Sequence, residues 1–297
     1  MIHKILAELN RGGPRGLARA VHQRLFPFRL KALRSHSACF AGKAGLEIGG
    51  PSVMFNDDGP FPVYGLVRSL DNCNFASHTV WEGQIDSGAT FCPPAARHTG
   101  IQYVAEATDL GPLPSSSYDF VLSSHALEHS ANALKALAEW IRVLKDDGVL
   151  VLVLPHKDGT FDHRRPVTSL QHLIRDFEDD VTEGDLTHVE EILALHDLSM
   201  DPAAGTLDAF RQRSLRNVEN RCLHHHVFDT ALVVDMVDHM KLQILAVEAF
   251  KPCNIMVMAR KCAPSTRPAN ARFSVSAPVR AWRSPFRSDQ RRRPAAA

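Results

Sequence analysis

Several side chains in this sequence have the types and spacing for joint chemistry. Gly45-Leu46-Glu47-Ile48-Gly49-Gly50-Pro51-Ser52 is an apolar run that ends in an acid and a glycine pair. Glycines at 49 and 50 tolerate φ > 0 and let a ligand approach the main chain, and Pro51 suits the first position of a helix. Free N–H groups behind such a turn can bind a carboxylate or phosphate. Asp71 follows at about the spacing at which an acid ending the next strand accepts hydrogen bonds from both hydroxyls of a ribose. Glu106-Ala107-Thr108-Asp109-Leu110 offers an acceptor and a main-chain N–H where an adenine edge could be read. His125, His129, His156 and His163 lie further along, and a neutral imidazole can take the proton of an attacking hydroxyl near working pH. Arg164 and Arg165, in a stretch dense in His and Asp, suit a phosphate or carboxylate on an acceptor, or else ion pairs within a covering segment to Asp176, Glu178, Asp179 or Asp180.

These groups need a frame, and the apolar runs supply one. Strands are expected at 45–49, 66–71, 101–107, 118–124, 149–155, 242–250 and 254–261, several of them apolar without clean alternation, as when helices cover both faces of a parallel sheet. Leu134, Leu137, Ile141 and Leu144 form one helical stripe over 131–145, with Ser130 as N-cap, and a buried strand follows at once. Helix followed by strand implies a right-handed crossover in a doubly wound sheet. The last two strands are joined only by Lys251-Pro252-Cys253, which is too short for a crossover, so they pair antiparallel.

The expected fold is therefore α/β, with a doubly wound, mostly parallel sheet, one antiparallel terminal hairpin strand and a helical cap insertion. The long segments 72–100 and 156–241 leave the carboxyl ends of strands, where open α/β sheets bind ligands. Helices near 168–178, 188–198, 205–219 and 229–240 make 156–241 the cap. Residues 45–262 form the domain, 1–44 a basic helical extension with Leu17, Val21 and Leu25 at helical spacing, and 263–297 a disordered basic tail.

Charge and cysteine usage narrow the function classes. Residues 1–44 carry +8 and residues 263–297 carry +7, so a net charge of +1 leaves −14 on the body between them. An acidic body argues against nucleic acid as partner. The basic ends, with Phe273, Trp282 and Phe286 interleaved in the tail, suit weak contact with an anionic membrane surface or a partner. Six scattered cysteines without a C-x-x-C fit reduced thiols and a cytoplasmic protein. The longest aliphatic run, 149–154, is far too short to span a membrane.

The order of these pieces resembles the class I S-adenosylmethionine-dependent methyltransferases, specifically the type 11-like branch. The matching residues are Gly45–Gly50, Glu106–Leu110, Tyr118-Asp119 running to His125-Ala126-Leu127-Glu128-His129, and Arg142-Val143-Leu144-Lys145 leading through Gly148 to Pro155. The first motif departs from the family, whose second glycine stands one residue further on. The resemblance implies a Rossmann-like fold and S-adenosylmethionine as cofactor. It implies that Glu47 orients the methionine amino group through the turn, and that Gly49 and Gly50 pass under the methionyl-ribose part. Asp71 would hold the ribose, and Glu106 with the Ala107 main chain the adenine. Ser124 and His125 would line the route to the acceptor. A nicotinamide dinucleotide is the rival, but G-x-G-x-x-G is absent.

The reading that follows is a methyltransferase acting on a small-molecule or glycan-like acceptor at a hydroxyl oxygen, with one of the four histidines as base. Two alternatives stand beside it. One is a catalytically silent S-adenosylmethionine-binding regulator. The other is metal-assisted O-methyl transfer, raised by the pair His125 and His129 and by the run His224-His225-His226, although no metal is expected.

Overall fold

A computed structural model describes residues 28–94, 96 and 98–291. Its core is an eight-stranded sheet in the order β5-β6-β2-β1-β7-β8-β10-β9. The strands are β1 (Ala44–Ile48), β2 (Ser69–Asn74), β5 (Gly88–Phe91), β6 (Gly100–Val104), β7 (Tyr118–Ser124), β8 (Leu144–Pro155), β9 (Leu242–Phe250) and β10 (Asn254–Lys261), while β3 (His78–Thr79) and β4 (Gly83–Gln84) form a separate ribbon. β6, β2, β1, β7 and β8 are mutually parallel, and β10 runs antiparallel to both β8 and β9. The mostly parallel sheet with its antiparallel terminal hairpin is as expected. β5 adds a second antiparallel edge beside β6. One shift matters for the site: β2 begins at Ser69 and runs to Asn74, so Asp71 sits inside the strand rather than at its end.

Eight helices accompany the sheet among the described residues: α1 (Lys31–His36), α2 (Ala133–Val143), α3 (Leu170–Glu178), α4 (Val189–Leu195), α5 (Leu207–Leu215), α6 (Asn217–Asn220), α7 (Thr230–His239) and α8 (Arg287–Arg291). Leu150, Leu152 and Leu154 of β8 face a layer built from α2 and α7, and Val149, Val151 and Val153 face the other side. α2 starts two residues later than the sequence suggests. Its N-cap is Asn132, whose side chain accepts from Lys135 N–H at 3.0 Å and donates to Asp176 O in the cap at 2.7 Å.

The second face is covered differently from the expectation of helices on both sides. There α1 and the loop 49–68 pack Phe40, Phe55, Phe61 and Tyr64 against Phe120 and Leu122. Pro51, Pro60, Pro62, Gly59 and Gly65 deny this loop a helical run, so large rings fill the layer that a helix would occupy. Pro51 accordingly starts no helix. It is followed by a single 3-10 turn, Val53–Phe55, capped by Ser52.

The cap is helical as expected, with α3 to α6 lying over the carboxyl ends of the strands. The tail is not as expected. Residues 263–291 fold back on the domain with Phe273, Trp282 and Phe286 buried, and Trp282 Nε1 donates to Phe273 O at 2.7 Å. Asp289 accepts from Thr230 Oγ1 at 2.6 Å and lies 3.2 Å from His156 Nε2, while Phe286 stacks on the His156 ring at 3.9 Å. Three buried aromatic rings supply the apolar area that composition alone concealed, so these rings are not free to meet a membrane. The stripe Leu17, Val21 and Leu25 lies outside the described residues. Among the described residues no helix is long and apolar enough to cross a membrane.

Candidate active site

At the carboxyl ends of β1, β2, β6 and β7 lies a cavity of about 870 Å³. Ile48, Gly49 and Pro51 line it from β1, Cys73 and Asn74 from β2, Ala105 to Ala107 beyond β6, and Ser124 to Ala126 beyond β7. Trp81, Arg213, Arg221 and His224 close it from the two long segments. It is the crevice outside the strand ends that an open α/β sheet offers a ligand.

The glycine turn is built from behind. Gly49 has φ +78°, which only glycine adopts without strain, and its N–H donates to Cys73 O at 2.9 Å. Gly50 donates to Asn72 Oδ1 at 3.0 Å and accepts from Asn72 Nδ2 at 3.1 Å. A Cβ on Gly50 would lie 2.2 Å from Glu47 Cδ, so nothing larger than glycine passes over that carboxylate. Glu47 is fully buried beneath the turn. Its oxygens accept from Tyr64 Oη at 2.9 and 2.8 Å and from Ser52 N–H at 3.0 Å. Burial pushes the Glu47 carboxyl up to about 8, against the opposing pull of Tyr64 and Ser52. Glu47 and Gly50 thus shape the turn, and Gly49 and Pro51 present it to the cavity.

Asp71 is corrected. Its carboxylate accepts from Ile101 N–H and Tyr118 Oη, both at 2.8 Å, inside the sheet and away from the cavity. The strand-end position belongs to Asn74, held by Gln102 Nε2 at 2.9 Å. Glu106 and Ala107 do line the cavity. Burial raises the Glu106 carboxyl and the nearby Arg221 opposes it. Arg221 pairs with Glu106 and, at 2.9 Å, with Glu183, while its guanidinium lies over the Phe75 ring at 5.3 Å. Arg213 is tied to Asp201 at 3.0 Å.

The histidines divide. His125 and His129 line the cavity, whereas His156 and His163 do not. His156 is buried under the C-terminal segment, and the partly exposed His163 pairs with Asp197 at 2.9 Å. Arg164 also pairs with Asp197, at 2.8 Å. The buried Arg165 is consumed by Asp162 at 3.0 Å, Glu191 at 2.8 Å and the carbonyl of His224 at 2.8 Å. Both arginines belong to the fabric of the cap, with partners other than the acids at 176–180, and the cations on the cavity wall are Arg213 and Arg221.

His224 lines the cavity too, although it was not among the four candidate bases. Its Nδ1 lies 2.6 Å from Asp162 Oδ2, which fixes the ring and leaves Nε2 for the cavity. Burial pushes the Asp162 carboxyl up, but His224 and Arg165 together hold it at about 2, so it stays ionised. His129 packs at a tilt against Trp81 and edge-on to His224, with Nδ1 3.1 Å from Leu223 O. Burial, reinforced by His224, brings His129 down to about 4 and keeps it neutral. Glu128 is buried beside them without a hydrogen-bond donor on either oxygen, and His125 Nδ1 stands 3.5 Å away. Glu128, His129 and His224 present atoms within 4.8 Å of one another.

Residues 72–152 match the family described as "Methyltransferase domain". Three solved structures to which the chain is similar are S-adenosylmethionine-dependent methyltransferases. The one from Aquifex aeolicus is 12% identical, with TM-score 0.42, over 80% of this chain and 92% of that one. The one from Methanosarcina mazei is 16% identical, with TM-score 0.42, over 79% and 99%. The one from Mesorhizobium loti is 13% identical, with TM-score 0.41, over 77% and 98%. No curated protein matches the chain. The chain thus carries, over residues 72–152, a segment that matches a methyltransferase domain, set in a mostly parallel sheet of Rossmann-like order.

Proposed function

We propose that the protein transfers the methyl group of S-adenosylmethionine to a hydroxyl of a small-molecule or glycan-like acceptor held under the cap. The observation that carries this reading is the His224–Asp162 pair at 2.6 Å, whose histidine lines the same cavity as Gly49 and Pro51. In-line displacement at the sulfonium carbon needs an aligned oxygen nucleophile and exclusion of water. The acceptor hydroxyl forms a new O–CH₃ bond as the S–CH₃ bond breaks, and the sulfonium leaves as a neutral thioether. His224 Nε2 takes the hydroxyl proton, and the Asp162 carboxylate stabilises the imidazolium so formed. Gly49 and Pro51 hold the methionine side, Asn74 the ribose, Glu106 and Ala107 the adenine, and Ser124 and His125 border the passage between cofactor and acceptor. Six free thiols fit a cytoplasmic setting.

Glu128 supports a second reading, metal-assisted transfer. Its orphaned carboxylate, with the Nε2 atoms of His129 and His224, suits a divalent cation, since both rings are already anchored through Nδ1. A cation bound there would lower the pKa of the acceptor hydroxyl. Transfer of labelled methyl groups to a panel of hydroxyl compounds, before and after chelation, separates the two. Turnover that survives chelation supports the base, and turnover lost on chelation and restored by metal supports the cation. Cofactor binding with no turnover on any acceptor class would favour a silent regulator.

A further inference from the structure

The run His224-His225-His226 splits three ways: His224 faces the cavity, His225 meets Asn217 Nδ2 at 3.0 Å, and His226 turns away into the cap. There it joins His172 of α3 and His188, just before α4, each offering a nitrogen within 4.8 Å of the others. His172 Nε2 and His188 Nε2 are 3.1 Å apart. Asp176, one turn along α3 from His172, places Oδ2 at 3.4 Å from His172 Nε2 and 3.7 Å from His226 Nε2. None of these four residues lines the cavity.

The geometry points to a second site: we propose that His172, Asp176, His188 and His226 bind a divalent transition metal of the zinc class that pins the cap together. Metal–ligand bonds of about 2.0–2.1 Å in a tetrahedron set ligand atoms about 3.3 Å apart, close to the 3.1 Å between His172 and His188 and the 3.4 Å between His172 and Asp176. A proton shared between His172 and His188 would explain the 3.1 Å edge alone, but it leaves Asp176 Oδ2 and His226 Nδ1 buried without a hydrogen-bond partner; His226 Nε2 is anchored 3.2 Å from Ala131 O, so Nδ1 is the nitrogen this ring offers the metal. Four protein ligands close the coordination sphere, so the metal is structural rather than catalytic. Its role follows from what it joins. The metal ties α3 to the segments that carry Glu183 and, through Arg221 and His224, the cavity wall. This inference is independent of which base or acceptor the methyl transfer uses.

The test is metal analysis of the untagged full chain, purified from zinc-supplemented expression, for the wild type and two pairs of variants. The expected result is about one zinc per chain, kept by His129→Gln and His224→Gln, with zinc affinity lowered more than about 100-fold in His172→Gln and His188→Gln, since loss of an outer-shell partner alone costs 10–100-fold. Should the histidine variants of the cap fold poorly, cobalt substitution of the wild type reads the same site through the intense visible bands of a tetrahedral nitrogen and oxygen set. A metal-free wild type, an octahedral cobalt spectrum, or zinc lost from the His129 and His224 variants but retained by the cap variants would overturn the proposal.

Discussion

At the scale of single residues, the site depends on groups held from behind. In the proposed mechanism Asp162, 2.6 Å from His224 Nδ1, does not touch the acceptor but orients His224 and stabilises its protonated form. Asp162→Asn should therefore lower kcat by about 10²–10⁴-fold and leave S-adenosylmethionine affinity unchanged. An equal loss in binding, measured by titration, would make Asp162 a scaffold of the cavity instead. Glu47 makes a second prediction. Its folded pKa of about 8 lies above the unfolded value near 4.5, so its contribution is fully present below 4.5 and is lost as pH rises towards 8. Glu47→Gln removes that titration, and the stability difference between variant and wild type should move in the variant's favour by a few kcal/mol from pH 5 to pH 8. Denaturant unfolding at the two pH values checks it, and parallel curves would refute it. The reading from motif order and family resemblance named His125, His129, Ser124, Glu106 and Gly49, all of which line the cavity. It misplaced Asp71, because a polar strand such as Ser69–Asn74 does not announce its last residue. It left Arg164 and Arg165 between acceptor binding and ion pairs to the acids at 176–180, and it named none of their actual partners: Asp197 and Glu191 lie more than twenty residues away, and Asp162 only three from Arg165.

At the scale of elements, three strands were legible to the residue. β7, β9 and β10 fall on their expected residues because periodicity and length specify them. The loop 49–68 carries no such signal, and its aromatic layer emerges only in three dimensions. Gly50 is the tightest point in it. Gly50→Ala must displace the buried Glu47 carboxylate, so it should weaken S-adenosylmethionine binding more than about tenfold and cost about 1–3 kcal/mol. A normal affinity by calorimetry would show that the turn has room. The C-terminal segment is the other element that composition hid. Phe286→Ala should cost about 3–5 kcal/mol, since the ring is fully buried on His156, and deletion of 263–297 should cost at least as much. Unchanged thermal unfolding after either change would return the segment to the status of a tail.

At the scale of the whole molecule, the proposal makes sheet order, cavity and cap one device, with the methyl donor at the sheet ends and the acceptor against the inserted segments. The acidic body between basic ends remains a property of the surface, and packing of 263–291 places part of that positive charge against the domain. The central claim is that the cavity holds the cofactor between the glycine turn and the His224–Asp162 pair. A crystal structure of the full chain with S-adenosylhomocysteine tests it most directly. The account predicts the homocysteine portion over Gly49 and Pro51, the ribose at Asn74, and the sulfur facing an open space bounded by His125, His129 and His224. A nucleoside bound elsewhere, or a sulfur turned away from those three rings, would contradict it.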